Sequence, residues 1–266
     1  MPGCPNRYLA LVRKSGPESI SGNTAKNGYG GAFDNAGTIN FITSITNSTF
    51  SGNSANDNGG AISNDGNVNI SFTTIANNEA GGKGGGLYVA AFPHIRNSII
   101  AFNTSNVMGT ANCTDGVDDK SNNYSDDSSC GFGTGNNASI NLGPLQNNGG
   151  PTETIALLGG DPLDGASLNC DPLGSDGNAT GMSIGVDQRY FPRPFGTYCD
   201  AGAYEKGSVG PQGPQGPQGP QGAAGSGGGC ALAGANSTNG TSALFVLLGY
   251  LLIPGVIVVR RRFRRK

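Results

Sequence analysis

The sequence has no tryptophan, a single histidine and little charge: only 13% of its 266 residues are charged. Leucine and glutamate, which favour helices, are scarce, whereas glycine accounts for 47 residues and asparagine, serine and threonine are abundant. Glycine loses much backbone entropy in a helix, and Asn and Ser compete for backbone hydrogen bonds. The composition therefore predicts short strands joined by many turns. Isoleucine, valine and phenylalanine recur at regular places, which a disordered chain would not need.

Several kinds of site are also missing. The formal net charge is only −2, so the chain has no overall positive field for nucleic acid. No phosphate-binding loop of the type Gly-x-x-x-x-Gly-Lys-Ser/Thr occurs. The six cysteines form no closely spaced pair and His94 is remote from them in sequence, which argues against a zinc site.

Cysteines without a metal pattern favour disulfides in an exported protein. We pair them by proximity along the chain. This predicts the disulfides Cys113–Cys130 and Cys170–Cys199, and leaves Cys4 and Cys230 over.

An internal repeat is the main positive feature. Three stretches align by eye, each with an Asn followed by paired glycines: Ser21-Gly22-Asn23 before Gly30-Gly31-Ala32-Phe33, Ser51-Gly52-Asn53 before Gly59-Gly60-Ala61-Ile62, and Ala76-Asn77-Asn78 before Gly85-Gly86-Leu87-Tyr88. A fourth unit opens with Ile100-Ala101-Phe102-Asn103, and the successive Asn positions are 30, 25 and 25 residues apart. Apolar and polar residues alternate in short runs, which is the strand period.

Each unit has three strand candidates: one after the paired glycines, one before the Asn, and one typified by Gly66-Asn67-Val68-Asn69-Ile70, which we match to Gly37-Thr38-Ile39-Asn40-Phe41. Three short strands in about 25 residues form one rung of a β-solenoid, and rungs stack because none buries its own apolar face. The sequence thus predicts an all-β, right-handed parallel β-helix.

The stacking predicts two columns of side chains. Ile20, Phe50, Ile75 and Ile100 would form an apolar column, and Asn23, Asn53, Asn78 and Asn103 an asparagine ladder. Stacked amides can hydrogen-bond along the pile, so we interpret the ladder as structural in preference to ligand-binding. The paired glycines are interpreted as tight corners with positive φ.

The repeat strings "ISGNTAKNGYGGAF", "FSGNSANDNGGAI" and "IANNEAGGKGGGLY" resemble polymorphic outer-membrane-type proteins with a right-handed β-helix. The strings "LGPLQNNGGPTETIALLGGDPLDGA", "DQRYFPRP" and "CDAGAYE" follow in the order typical of bacterial choice-of-anchor β-helix proteins. One departure is "GGDPLDGA", where that family more often reads like "GSPAIDAG". The resemblance covers roughly 19–205, implies a cell-surface β-helix and brings no catalytic residues.

The span 111–140 carries five acidic residues: Asp115, Asp118, Asp119, Asp126 and Asp127. Carboxylates of this kind can bind calcium, but the spacing matches no known calcium loop. We therefore expect a solvated acidic loop, with calcium as the alternative and no other cofactor.

The C-terminal region is organised differently. Four Gly-Pro-Gln triplets have the collagen pattern and favour a semi-rigid spacer over a triple helix; such a spacer spans roughly 60 Å. The uncharged segment 242–259 is long enough for a transmembrane helix, and six of the last seven residues are Arg or Lys, which places the tail in the cytoplasm. A buried core helix is the alternative.

The order Gly228-Gly229-Cys230, apolar segment and basic end resembles bacterial C-terminal sorting signals. The resemblance implies a membrane protease that cuts near Gly229-Cys230, with Cys230 as the residue to be modified. The alternative is an unmodified thiol beside a plain membrane anchor.

Residues 1–18 contain no apolar run or cleavage site of a signal peptide, so we expect an N-terminally truncated product. The sequence predicts seven segments: 1–18 unassigned, 19–142 rungs and acidic loop, 143–205 final rungs and cap, 206–229 spacer, 230–241 linker, 242–259 transmembrane segment and 260–266 basic tail.

We weigh three functions. The first is a non-enzymatic adhesive or structural protein, tethered to the cell surface through membrane lipid, with an unidentified glycan or protein ligand and no nucleic-acid partner. The second is a β-helix polysaccharide lyase or hydrolase, which needs a concentrated set of carboxylates. The third, an autotransporter passenger, needs a C-terminal barrel of alternating strands, a pattern that this sequence lacks.

Overall fold

The structure, a computed structural model, describes residues 17–35, 43–114, 116–168 and 170–208. These residues contain short strands and turns, and no helix. The first turn of the chain consists of β1 (Ser19–Ser21), β2 (Thr24–Ala25), β3 (Phe33–Asn35) and β4 (Thr43–Thr46). The second consists of β5 (Thr49–Ser51), β6 (Ser54–Ala55), β7 (Ile62–Asn64) and β8 (Val68–Ser71).

The third turn consists of β9 (Thr74–Ala76), β10 (Glu79–Ala80), β11 (Leu87–Val89) and β12 (His94–Arg96). A further turn begins with β13 (Ile99–Ala101), β14 (Thr104–Ser105) and β15 (Asp118–Asp119). Two longer strands follow, β16 (Ile140–Gln146) and β17 (Thr154–Gly160).

Corresponding strands of successive turns pair in parallel and form four sheets. Sheet A has the order β1-β5-β9-β13, sheet B β14-β10-β6-β2, sheet C β11-β7-β3 and sheet D β15-β12-β8-β4. The chain is therefore a parallel β-solenoid of about three turns, as the repeat predicts. Each complete turn has four strands and not the expected three, because the two residues after each ladder Asn form a strand of their own in sheet B.

The apolar column was predicted correctly. Ile20 pairs with Phe50, Phe50 with Ile75, and Ile75 with Ile100. Together with inward side chains of the other sheets they form one buried cluster that runs along the solenoid. A single turn could not bury these side chains, so the apolar contacts between turns stabilise the stack.

Two details of the predicted alignment are wrong. In sheet C, Phe33 and Ile62 are in register with Leu87, not with Tyr88. The third unit has three consecutive glycines, and the alignment chose the wrong pair. A slip of one residue exchanges the two faces of a strand, so Leu87 is buried and Tyr88 faces outward.

The second error concerns sheet D. The partner of β8 in the first turn is β4, at 43–46, and not the predicted 37–41, all of which lies outside the described residues. The step from Asn35 to Thr43 is eight residues, whereas the equivalent step from Asn64 to Val68 is four. Most of the extra length of the first repeat thus falls at this corner.

The paired glycines have two different roles. Gly30 and Gly59, the first of their pairs, have the predicted positive φ, 65° and 75°. In the third unit the positive φ, 67°, falls on Gly84, and neither Gly85 nor Gly86 of the predicted pair has it. The second glycine of a pair, Gly60 for example, is required for another reason: a Cβ there would collide with the backbone of Gly85 and Glu79 in the next turn.

Final rungs and a cap are expected over 143–205, and the first strands of this region do not continue the parallel stacking. β16 and β17 pair as an antiparallel hairpin with irregular register. We call 161–208 the lateral segment, because its described residues contact the solenoid at several successive turns. A second buried cluster joins the two parts and includes Phe72, Ile99 and Leu157.

Among the residues described, no helix is long and apolar enough to cross a membrane. The predicted transmembrane segment, 242–259, lies outside them, as do the spacer triplets, the basic tail, Cys4 and residues 1–16.

Candidate functional site

The four predicted ladder asparagines lie in one column at the corner between sheets A and B. Each amide nitrogen donates to the amide oxygen of the next turn: Asn23 to Asn53 at 3.0 Å, Asn53 to Asn78 at 2.9 Å and Asn78 to Asn103 at 2.9 Å. The same oxygens accept backbone N–H groups, for example from Asn53 to Asn78 at 2.9 Å. Because these amides satisfy one another and the backbone, the arrangement holds adjacent turns in register and leaves no open coordination for a ligand.

A fifth asparagine extends the column. Asn103 donates to Asn112 at 2.9 Å, and Asn112 in turn donates to Ser125 and Asp126 at 2.9 and 2.7 Å. Asn112 follows Asn103 by nine residues instead of 25, so the repeat period could not reveal it. The column ends on the acidic loop.

Both cysteine pairs named by the sequence are joined by disulfides, with Cα–Cα distances of 4.7 Å for Cys113–Cys130 and 5.7 Å for Cys170–Cys199. Cys113 and Cys130 belong to the solenoid core, whereas Cys170 and Cys199 belong to the second cluster. One bridge therefore closes the loop at the end of the solenoid, and the other closes the lateral segment.

The described acidic residues of 111–140 point to different partners and do not converge on one point. Asp119 accepts from the backbone of Ser121 and Gly133, while Asp126 accepts from the backbone of Phe102. Burial works against ionisation of Asp127, but hydrogen bonds from Ser129, Asn112 and Ser125 together outweigh it and lower the pKa of this carboxyl. No group of residues arranged to hold a metal occurs in the described part of the chain, and Asp115 lies outside that part.

His94 and Asp118 are neighbours on the outer face of sheet D. His94 Nδ1 lies 2.6 Å from Asp118 Oδ2, and Lys120 Nζ lies 2.9 Å from the same oxygen. The hydrogen bond from Lys120 lowers the pKa of Asp118. A Cβ at Gly177 would collide with the His94 ring near Nε2, so the lateral segment packs against the nitrogen that a general base would use. The arrangement fits a surface ion pair better than a catalytic dyad.

Side chains of the solenoid hold the lateral segment along sheet D and the corner that follows it. Arg96 pairs with Asp171 at 2.9 Å, and Ala203 N donates to Thr74 Oγ1 at 3.0 Å. Farther along the solenoid, the Thr49 hydroxyl donates to Gln188 Oε1 at 2.6 Å. These contacts reach the second and third turns, and Tyr124, which follows β15, donates its hydroxyl to Gly165 O at 2.9 Å. The segment therefore connects turns that are otherwise joined only through their neighbours.

Five charged side chains of the lateral segment form a buried group that we call the ion cluster: Asp187, Arg189, Arg193, Asp200 and Glu205. All are at most 3% exposed. Arg189 binds Asp187 through two nitrogens, at 2.8 and 2.6 Å, and its guanidinium lies over the rings of Phe191 and Tyr204.

Arg193 is held less completely. Its Nε lies 3.1 Å from Glu205 Oε2, but the N–H is not aligned for a hydrogen bond, and one terminal nitrogen also lacks a hydrogen-bond partner. The guanidinium instead lies 4.4 Å from the ring of Phe72 in the solenoid. Phe72 has φ of 46° at a corner where Asn47 and Asn97 take the same left-handed conformation, so an aromatic residue stands where asparagine is more readily accommodated.

Burial changes the titration of the cluster. It lowers the pKa of Arg193, raises that of Asp200 and raises the pKa of Glu205 to about 7. The motif "DQRYFPRP" contains Asp187, Arg189 and Arg193, but in sequence it is informative only through its resemblance to a family. Their burial, and the participation of Glu205, depend on long-range packing that no short motif encodes.

The loop 190–198, which we call the aromatic loop, exposes aromatic rings beside the ion cluster. Tyr190, Phe195 and Tyr198 are 53%, 56% and 45% exposed. Buried contacts hold the backbone of the loop in place: Phe195 N donates to Glu205 Oε1 at 2.8 Å, and the neighbouring Cys199 is held in its disulfide. Exposed aromatic side chains on a fixed loop lose little entropy on binding and are therefore suited to contacts with a partner.

The sorting residues Gly228, Gly229 and Cys230 lie outside the described residues. No family model, curated protein or solved structure matches this chain.

Proposed function

We propose that this protein is a non-enzymatic bacterial cell-surface protein that presents a right-handed β-helix for adhesion or structural interaction. A parallel strand connection is right-handed in nearly all proteins, which supports the handedness. Segment 242–259 would anchor it in membrane lipid, with processing by a sorting protease at Gly229-Cys230. Its ligand is a surface glycan or protein.

The observation that carries this proposal is that the exposed rings of the aromatic loop are supported by a rigid β-solenoid. The asparagine column joins successive turns, the lateral segment connects several of them, and two disulfides close the loops. Disulfides of this kind persist in oxidising compartments, which agrees with export. On this support, the aromatic loop is the best candidate for ligand contact.

Binding of the purified full-length chain to a panel of glycans and host-matrix proteins tests the proposal. We expect at least one ligand whose affinity falls when Tyr190 and Tyr198 are both changed to Ala. A matched control is Leu158→Ala, since Leu158 is 49% exposed on the hairpin. No binding to any ligand, or equal binding by all variants, would contradict this role of the loop.

The alternative is a carbohydrate-active enzyme. It requires carboxylates within reach of the glycosidic bond, but Asp187, Asp200 and Glu205 are buried. Shortened products after incubation with the glycan panel would favour the enzyme over the adhesin.

A further inference from the structure

We propose that the ion cluster is a proton-dependent lock on the lateral segment, closed when one of its carboxyls carries a proton and loosened when all three are ionised. The charge count supports this directly. Three carboxyls, those of Asp187, Asp200 and Glu205, face two guanidinium groups in a site removed from water. With every carboxyl ionised the site holds one uncompensated negative charge, and a single proton restores balance.

The hydrogen bonds indicate which carboxyl takes the proton. Asp187 accepts hydrogen bonds from the Arg189 guanidinium and from the backbone of Phe191 and Glu205, so its oxygens are already engaged by a positive charge. Asp200 and Glu205 each accept only backbone N–H groups, from Asp164 and Lys206 in one case and from Phe195 and Asp200 in the other. A glutamate has the higher intrinsic pKa, so Glu205 is protonated first.

Other titratable groups near the segment do not replace this proton. The Lys206 ammonium is directed to the carbonyl of Leu158, on the hairpin. Asp164 faces the cluster only through its backbone N–H to Asp200, although its charge contributes to the raised pKa of Asp200. His94, the one histidine of the sequence, packs against Asp118 and Gly177.

The lock acts on the contacts that attach the segment. Glu205 holds the backbone of Phe195 in the aromatic loop, and Arg193 donates to the carbonyl of Gly202 at 3.0 Å. The adjacent Gly202 N donates to Asn97 O in the solenoid at 2.9 Å. Ionising Glu205 would leave an unbalanced negative charge in this buried site, and opening the segment would relieve it by exposing the carboxylate to water, with loss of these contacts.

The sign of the pH dependence follows from the pKa of Glu205, which is about 7 in the folded protein and 4.5 as its ordinary value. Protonated Glu205 stabilises the closed segment fully at a pH below its ordinary pKa. This stabilisation is lost as the pH rises through the pKa that Glu205 has in the folded protein. Between pH 6 and 8.5, the opening constant of the segment should rise roughly tenfold.

Hydrogen exchange with mass spectrometry on the full-length chain measures this change. Protection factors, corrected for intrinsic exchange, are compared for peptides covering 187–205 at pH 6 and pH 8.5. We expect protection to fall about tenfold in the wild type and in the exposed-site control Glu153→Gln, and to change little with pH in Glu205→Gln.

Equal protection of the wild-type segment at both pH values would overturn the proposal, as would a full pH-dependent fall in Glu205→Gln. If Glu205→Gln does not fold, Asp200→Asn provides the second test. Removing the neighbouring negative charge should move the midpoint of the wild-type transition to lower pH, and an unchanged midpoint would also overturn the lock. Because exchange is measured without ligand, failure here is distinguishable from failure of the proposed adhesion.

Discussion

At the residue scale, the asparagine column shows how a repeated polar residue can be buried at little cost. Asn78, 1% exposed, accepts from the backbone and side chain of Asn53 and donates to Phe50 O and Asn103 Oδ1. Buried polar groups are tolerated when each is hydrogen-bonded. The column therefore specifies the register between turns as much as it stabilises them.

Substitution Asn78→Ala tests this role. It leaves the backbone N–H of Asn53 without its acceptor and removes the side-chain donor to Phe50 O. We therefore expect the free energy of unfolding to fall by roughly 2–4 kcal/mol, at about 1–3 kcal/mol for an unsatisfied group. Denaturant unfolding monitored by circular dichroism measures it.

The matched control is Asn23→Ala at the exposed start of the column. Asn23 donates to Asn53 but no side chain in the described residues donates to its own amide oxygen, so the expected loss is below about 1 kcal/mol. If both variants lost the same free energy of unfolding, burial within the asparagine column would not explain the effect of Asn78→Ala.

At the element scale, the lateral segment is an addition to the solenoid, since the turns stack on one another without it. It combines irregular backbone, a disulfide and buried charge, and its contacts reach several turns. Buried ion pairs stabilise little because desolvation offsets their attraction, so the Cys170–Cys199 bridge is expected to contribute more to holding the segment closed.

Replacing both Cys170 and Cys199 by Ser tests that expectation. The bridge closes a loop with a sequence separation of 29, and the chain-entropy model assigns roughly 3–4 kcal/mol to a loop of that size. We expect the melting temperature to fall and trypsin to cleave first within 170–199.

Non-reducing peptide mapping of exported protein provides the control, since it should recover both linked peptide pairs. Four free thiols in that protein would contradict the pairing, and an unchanged melting temperature in the double variant would contradict the role given to the bridge.

At the scale of the whole molecule, the proposed attachment to the cell surface depends on the C-terminal region of the sequence. Segment 242–259, the basic tail and Gly229-Cys230 predict insertion with the C-terminus inside, followed by cleavage near Cys230. In a bacterium that has sorting machinery, and with a signal peptide supplied, we expect the mature protein to lose its basic tail.

Mass spectrometry of the mature C-terminus, for the wild type and Cys230→Ser, measures this outcome. The substitution should abolish membrane retention of the processed form. If surface protein of both kinds still ends at Lys266, the apolar segment is a permanent anchor and the motif is an ordinary linker.

The sequence by itself determined the solenoid, because its repeat sets where side chains must stack: Ile20, Phe50, Ile75 and Ile100 recur at the spacing that the structure pairs. Only the tertiary structure decided the details that involve distant parts of the chain. Three consecutive glycines allow two alignments in sequence, and packing selected Leu87 for the core. Likewise, Arg193 and Glu205 are ordinary surface residue types until folding removes them from water together, and short-range patterns contain no information about that burial.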